Sequence, residues 1–154
     1  MSIDAPVAYL WRHYRENLKK CSLEPLVGDS RFEFASWKSG ISIEATGCIV
    51  LEIDAPVLTR SDAGSPFVLL DSTWRYLTKM RASVLGDCIP RSLPATLRTA
   101  YPRTARLSEN PVRGLASIEA LYAALRIVGT RDDTLLASYH WGAEFLDTCD
   151  REDL

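Results

Sequence analysis

The chain is most restrictive in what it lacks. No apolar run approaches the ~20 residues needed to span a bilayer. Its start, Met1-Ser2-Ile3-Asp4, has neither the basic nor the apolar region of a secretory signal. A membrane or secreted protein is therefore not expected, and the expected location is the cytoplasm. There are only two histidines, His13 and His140, and nothing in their spacing brings them together. The four cysteines (Cys21, Cys48, Cys88, Cys149) are scattered, with no CxxC pair and no neighbouring histidine. That pattern argues against a metal site, and in a reducing compartment against disulfides. There is no internal repeat and no low-complexity tail.

A basic excess is also missing, since the net charge is −2. Taken alone this argues weakly against a nucleic-acid partner. The distribution says more than the sum. Between residues 75 and 113 stand Arg75, Lys79, Arg81, Arg91, Arg98, Arg103, Arg106 and Arg113, against only Asp87 and Glu109. Beyond residue 114 acidic residues predominate. A basic stretch richer in arginine than lysine suits a phosphate-binding surface, though on charge alone a solvated face is the slightly favoured reading.

With 47% hydrophobic and 25% charged residues over 154 positions, the composition is that of one compact globular unit or two small lobes. The pattern predicts strands at Val7–Trp11, Arg31–Trp37 (an edge strand), Gly47–Ile53 and Pro66–Leu70. A turn-rich loop should cover Thr59–Ser65. Helical spacing begins at Thr73, with Trp74, Leu77, Met80 and Val84 on one face and an end near Gly86. The prolines at 90, 94, 102 and 111 then break the chain into short pieces. Two further helices are expected: Leu115–Val128, striped by Leu115, Ile118, Leu121, Tyr122, Leu125 and Val128, and roughly Asp133–Thr148. The fold class is α/β, with a sheet lobe over 1–84 and an all-helical lobe over 85–154.

The block Phe67-Val68-Leu69-Leu70-Asp71-Ser72-Thr73-Trp74 carries the most chemistry. A buried strand that ends in a carboxylate delivers Asp71 where open α/β sheets bind ligands. An indole three residues on suits a cationic ligand. Asp71, Ser72 and Thr73 are also good helix N-caps, and from the residues alone that plainer reading stays open. His140, between Tyr139 and Trp141, is expected to pack, and Glu119 to cap or brace its helix and the loop beside it.

Six blocks in order extend the picture: Lys20-Cys21-Ser22, Leu-Leu-Asp-x-x-Trp (69–74), Arg-x-Leu-Pro (91–94), Ala-x-Pro (100–102), Leu-x-Ser-x-Glu-Ala-Leu (115–121) and Tyr-x-Trp-Gly-x-x-Phe-Leu (139–146). Together they resemble the ribosomal-RNA aminocarboxypropyltransferases, SPOUT-like proteins with a trefoil knot. Asp-Ser-Thr-Trp with Lys79-Met80 is also similar to the related DTW-domain proteins, which act on tRNA and usually carry cysteine-rich motifs absent here.

The resemblance implies transfer of a 3-amino-3-carboxypropyl group from S-adenosylmethionine to a uridine or pseudouridine of small-subunit rRNA. The implied partner is rRNA or a pre-ribosomal small subunit, and the implied state a monomer. By motif, Asp71 is the catalytic residue, and Ser22, Leu70, Trp74, Leu93, Arg113 and Ser117 line the donor. Arg75, Lys79, Arg91, Arg98, Arg103 and Arg106 are expected to face RNA. The family's Asn-Pro-Val-Asn-Tyr-Gly stretch is replaced here by residues 101–106, which changes the rim of the implied pocket. Two other readings are a DTW-type tRNA enzyme and a non-catalytic ribosome-assembly factor.

Overall fold

The computed structural model describes residues 5–102 and 114–154, with Trp74 described by its backbone alone. Its contacts fall into two units: residues 1–52 with 64–91, and residues 53–63 with 92–154. The expected division at 84/85 thus falls inside the first unit, and the excursion 53–63 belongs with the later residues.

The first unit is built on five strands: β1 (Ala8–His13), β2 (Phe32–Trp37), β4 (Ile49–Leu51), β5 (Phe67–Asp71) and β7 (Ile89–Arg91). They form one sheet in the order β2-β1-β5-β4-β7, every neighbouring pair parallel. Parallel sheets are covered on both faces, which is why β5 reads as an unbroken apolar run. Phe67, Val68 and Leu69 are all buried. As expected, β2 is an edge.

Helix α1 (Trp74–Ala82) follows β5. Met80 packs with Trp37, Val50 and Val68, and Leu70, Tyr9 and Trp11 join the same core. Val84 does not continue the helix. It enters β6 (Val84–Leu85), which pairs in parallel with β3 (Ile43–Glu44). Its spacing from Met80 suits another helical turn, but Ser83 ends the helix. The Ser83 hydroxyl donates to the Met80 carbonyl (2.5 Å) and accepts from Trp37 Nε1 (2.9 Å).

In the second unit, α2 (Ser117–Ile127) buries Leu121 to Arg126 without interruption, more than the one-sided stripe expected. Gly129 follows at φ 94°, and the Thr130 N–H reaches back to the Leu125 carbonyl at 2.8 Å, a left-handed helix stop. The single helix expected over 133–148 is two pieces. A 3-10 turn at Asp133–Leu136 is followed by α3 (Gly142–Arg151). Gly142 lies against the Leu136 carbonyl oxygen, where any Cβ would collide. Tyr122 and Phe145 meet edge to face at 6.3 Å, joining α2 to α3. No described helix is long and apolar enough to cross a membrane.

Candidate functional site

Chain direction sets the site. From β1 the chain moves outward to β2 on one side, while β5 lies on the other. The C-terminal ends of β1 and β5 therefore flank the point where strand order reverses, the usual ligand position of open α/β sheets. Arg12 and Asp71 are register partners there. Being in register on adjacent strands, they share a sheet face, while Leu70 turns to the opposite face and joins the α1 core.

Asp71 is only 9% exposed, and its Oδ2 accepts a hydrogen bond from the Cys21 thiol at 3.0 Å. Burial, then the bond to Asp71 and its charge, push the Cys21 thiol up to about 11. Cys21 is therefore protonated at neutral pH and serves as a donor to the carboxylate, not as a nucleophile. Arg12 bonds to Glu24 and its guanidinium lies 4.7 Å over the Phe34 ring. Burial pulls the Arg12 pKa down, but its bonds to Glu24 and Cys21 raise it overall. Glu16 is held above the usual carboxylate range, first by burial and then by the charge of Asp71, with Arg12 pulling the other way. The strand end is thus a set of coupled charges, Arg12, Glu16, Glu24 and Asp71, tied by one thiol.

The capping alternative accounts for little of the Ser-Thr pair. Thr73 is the N-cap of α1 but makes no side-chain cap bond. The Ser72 hydroxyl is buried with no hydrogen-bond partner among the described residues. An uncapped first turn beside a buried orphan hydroxyl is a place for an outside acceptor.

The other expected site residues divide by unit. Ser22 and Leu70 are half-buried in the first unit, near the chain's entry to and exit from this strand end. Leu93 and Ser117 are half-buried in the second, Ser117 opening α2. Arg75 and Lys79 are exposed on α1, Arg98 is exposed in the second unit, and Arg91 is half-buried, bonded to the Pro90 carbonyl at 2.8 Å. Arg103, Arg106 and Arg113 lie outside the described residues. Arg81 is paired with Glu52 and belongs to the scaffold. His140 is exposed, its ring edge-on to Trp141 at 4.7 Å.

Glu119 does brace its surroundings. It is fully buried and accepts from Thr99 Oγ1 (2.6 Å), the Ala100 N–H (2.8 Å) and the Ala116 N–H (2.7 Å). One carboxylate thus ties residues 99–100 to the start of α2.

Sequence reasoning missed Arg12, Glu16, Cys21 and Glu24 as neighbours of Asp71. One signal was present: Tyr9-Leu10-Trp11-Arg12-His13 ends a strand in charge, as the Asp71 strand does. No group of three or more metal-ligating side chains occurs among the described residues.

No family model matches the chain, and no curated protein matches it. Among solved structures it is similar to the SAM-dependent rRNA:acp-transferase Tsr3 from Vulcanisaeta distributa. The likeness has a TM-score of 0.72 at 24% identity and covers 94% of this chain and 79% of that one. The two share a fold.

Proposed function

We propose that this chain transfers the 3-amino-3-carboxypropyl group of S-adenosylmethionine to a uridine or pseudouridine of small-subunit rRNA. The observation that carries the reading is the fold likeness to an SAM-dependent rRNA:acp-transferase over 94% of the chain. The buried carboxylate at the reversal point of the sheet supports it, as does the order of the six motif blocks. With the reading come the knotted SPOUT-like topology, kinship to the DTW proteins, a helical lobe after the sheet, a cytoplasmic location and a pre-ribosomal partner.

The residues present fit such a donor. The orphan Ser72 hydroxyl and the uncapped first turn of α1 suit an α-carboxylate, and the carboxylates of Asp71 and Glu16 suit a sulfonium or ammonium. Ser22, Leu70, Trp74, Leu93, Arg113 and Ser117 would line the donor, and Arg75, Lys79, Arg91, Arg98, Arg103 and Arg106 the RNA. Bound there, the donor supplies an activated Cγ–S bond. Asp71 takes the proton from the uracil-ring nitrogen as the N–Cγ bond forms. The Cγ–S electron pair returns to sulfur, and methylthioadenosine leaves. Cys21 keeps the Asp71 carboxylate in one orientation for that step, and Arg12 and Glu24 hold the segment that carries Cys21. Alignment of the two reactants contributes much of the acceleration.

Incubation with S-adenosylmethionine and either small-subunit rRNA or tRNA, followed by nucleoside mass spectrometry, tests the reading. The aminocarboxypropyl nucleoside is expected in the rRNA digest. Its appearance in tRNA alone would replace the rRNA reading with the DTW-type one.

A further inference from the structure

We propose that Tyr14 and Arg15 form a stacking point for an unpaired base of single-stranded RNA, beside the strand end that carries Asp71. The inference rests on the RNA substrate proposed above and names the residues that would grip it.

The support comes from four rings. His13, the last residue of β1, is 5% exposed and stacks on Tyr76 of α1, with centroids 4.1 Å apart and an interplanar angle of 16°. It also lies 5.5 Å from the Trp37 ring and 5.0 Å from that of Tyr14, the latter at 30°. Burial and the Arg15 charge lower the His13 pKa, so the middle ring of the stack is uncharged at neutral pH. The Tyr14 N–H is fixed to the Trp37 carbonyl at 2.8 Å. Tyr14 is thus the outer ring of a stack centred on the buried His13, and is itself 52% exposed. A lone exposed tyrosine is ordinary. One stacked on His13, which is itself packed against Tyr76 and Trp37, has already lost part of the freedom a ligand would cost it.

Arg15 completes the point. Its Nε donates to the Tyr14 hydroxyl at 2.8 Å, and its guanidinium sits 5.4 Å from the ring centroid. An arriving base meets a phenol or a guanidinium plane, both of which stack on bases.

Charge selects the occupant. Lys19, Lys20, Arg75 and Lys79 are exposed, and none forms an ion pair with a described residue. Lys79 stands three residues after Tyr76 on α1 and so neighbours that ring, and Arg75 stands four before Lys79 on the same helix. The nearby carboxylates are engaged or withdrawn, Glu24 by Arg12 and Glu16 by partial burial. Unpaired exposed cations on the segment after β1 and on α1, together with an exposed aromatic ring, are what single-strand recognition uses, and a duplex, whose bases stay stacked on one another, cannot use the ring.

Fluorescence anisotropy of the full chain with a labelled 12-nucleotide oligouridylate, and with an RNA duplex of equal length, tests this. Tyr14→Ala is expected to weaken single-strand binding roughly tenfold. It should leave duplex binding and the salt slope of single-strand binding unchanged, because no phosphate contact is lost. Tyr14→Trp should retain or tighten binding, which separates stacking from misfolding. Unchanged single-strand affinity in Tyr14→Ala, equal loss for duplex and single strand, or no binding of the oligouridylate by the parent chain would each overturn the proposal. The readout is independent of turnover. If the chain forms no methylthioadenosine but Tyr14→Ala loses single-strand binding, the enzymatic reading fails and the stacking point stands.

Discussion

Asp71→Asn should slow group transfer by about 10²–10⁴-fold, the usual contribution of a positioned general base. Donor affinity should fall little by comparison. Asparagine is close to isosteric, and its side-chain carbonyl can still accept from the Cys21 thiol that now reaches Oδ2 at 3.0 Å. What it cannot do is take the ring proton. The larger loss should therefore fall on kcat, with KM for the donor rising by a much smaller factor, because one of the two carboxylates facing its cation loses its charge, and with the melting temperature near that of the parent. Single-turnover kinetics with saturating donor separates these terms. A variant retaining full kcat would mean that alignment alone drives the reaction and that Asp71 is a structural carboxylate. Cys21→Ala is the companion case. It keeps the carboxylate but removes its donor, so the rate should drop by less than in Asp71→Asn.

The largest effect on stability should come from Glu119→Ala. The Glu119 carboxylate is fully buried and accepts from Thr99 Oγ1, the Ala100 N–H and the Ala116 N–H. Truncation leaves those donors without their acceptor, at about 1–3 kcal/mol for each that stays buried. Part of that is offset, because a buried charge no longer has to be desolvated. A net loss of about 3 kcal/mol is expected, roughly 6–12 °C in melting temperature for a chain of this size. Glu119→Gln keeps one oxygen acceptor but turns an NH2 toward a donor, so it should fall between the parent and Glu119→Ala. Thermal melts of the three proteins check the order. Equal melting temperatures for Glu119→Ala and the parent chain would show that water replaces the carboxylate at no cost.

How much of this was legible depends on whether the signal was local. The end of β5 was readable because a strand covered on both faces must be an unbroken apolar run, and Leu70 to Asp71 ends it abruptly. The stop of α2 at Gly129 was readable for the same reason, since one residue supplies the left-handed turn. Val84 was misassigned because its four-residue spacing from Met80 suits a helix. The competing partner, Ile43 in β3, lies far back in the chain, and a two-residue strand has no period of its own. The break before α3 was hidden because Leu135, Leu136, Tyr139, Phe145 and Leu146 keep helical spacing across it. Only the packing of Gly142 on the Leu136 carbonyl shows why that position carries no side chain.

The candidate site was legible at one residue and not as a constellation. Asp71 announces itself by its place in the sequence. Its neighbours do not: Cys21 is fifty residues away, and Arg12 reaches it only because β1 is the strand beside β5. Glu16 and Glu24 follow from the same adjacency. The excursion 53–63 escaped notice because nothing local says that a segment between β4 and β5 belongs with residues 92–154. The stacked rings His13, Tyr14 and Tyr76 likewise require β1 and α1 to be neighbours before they form a pattern.

The identity of the spent donor bears most directly on the proposed activity. The full chain would be incubated with S-adenosylmethionine and small-subunit rRNA, and the nucleoside product separated by chromatography. Methylthioadenosine, formed in step with modified rRNA and nearly abolished by Asp71→Asn, is the expected product. S-adenosylhomocysteine in its place would show methyl transfer and rule out transfer of the aminocarboxypropyl arm.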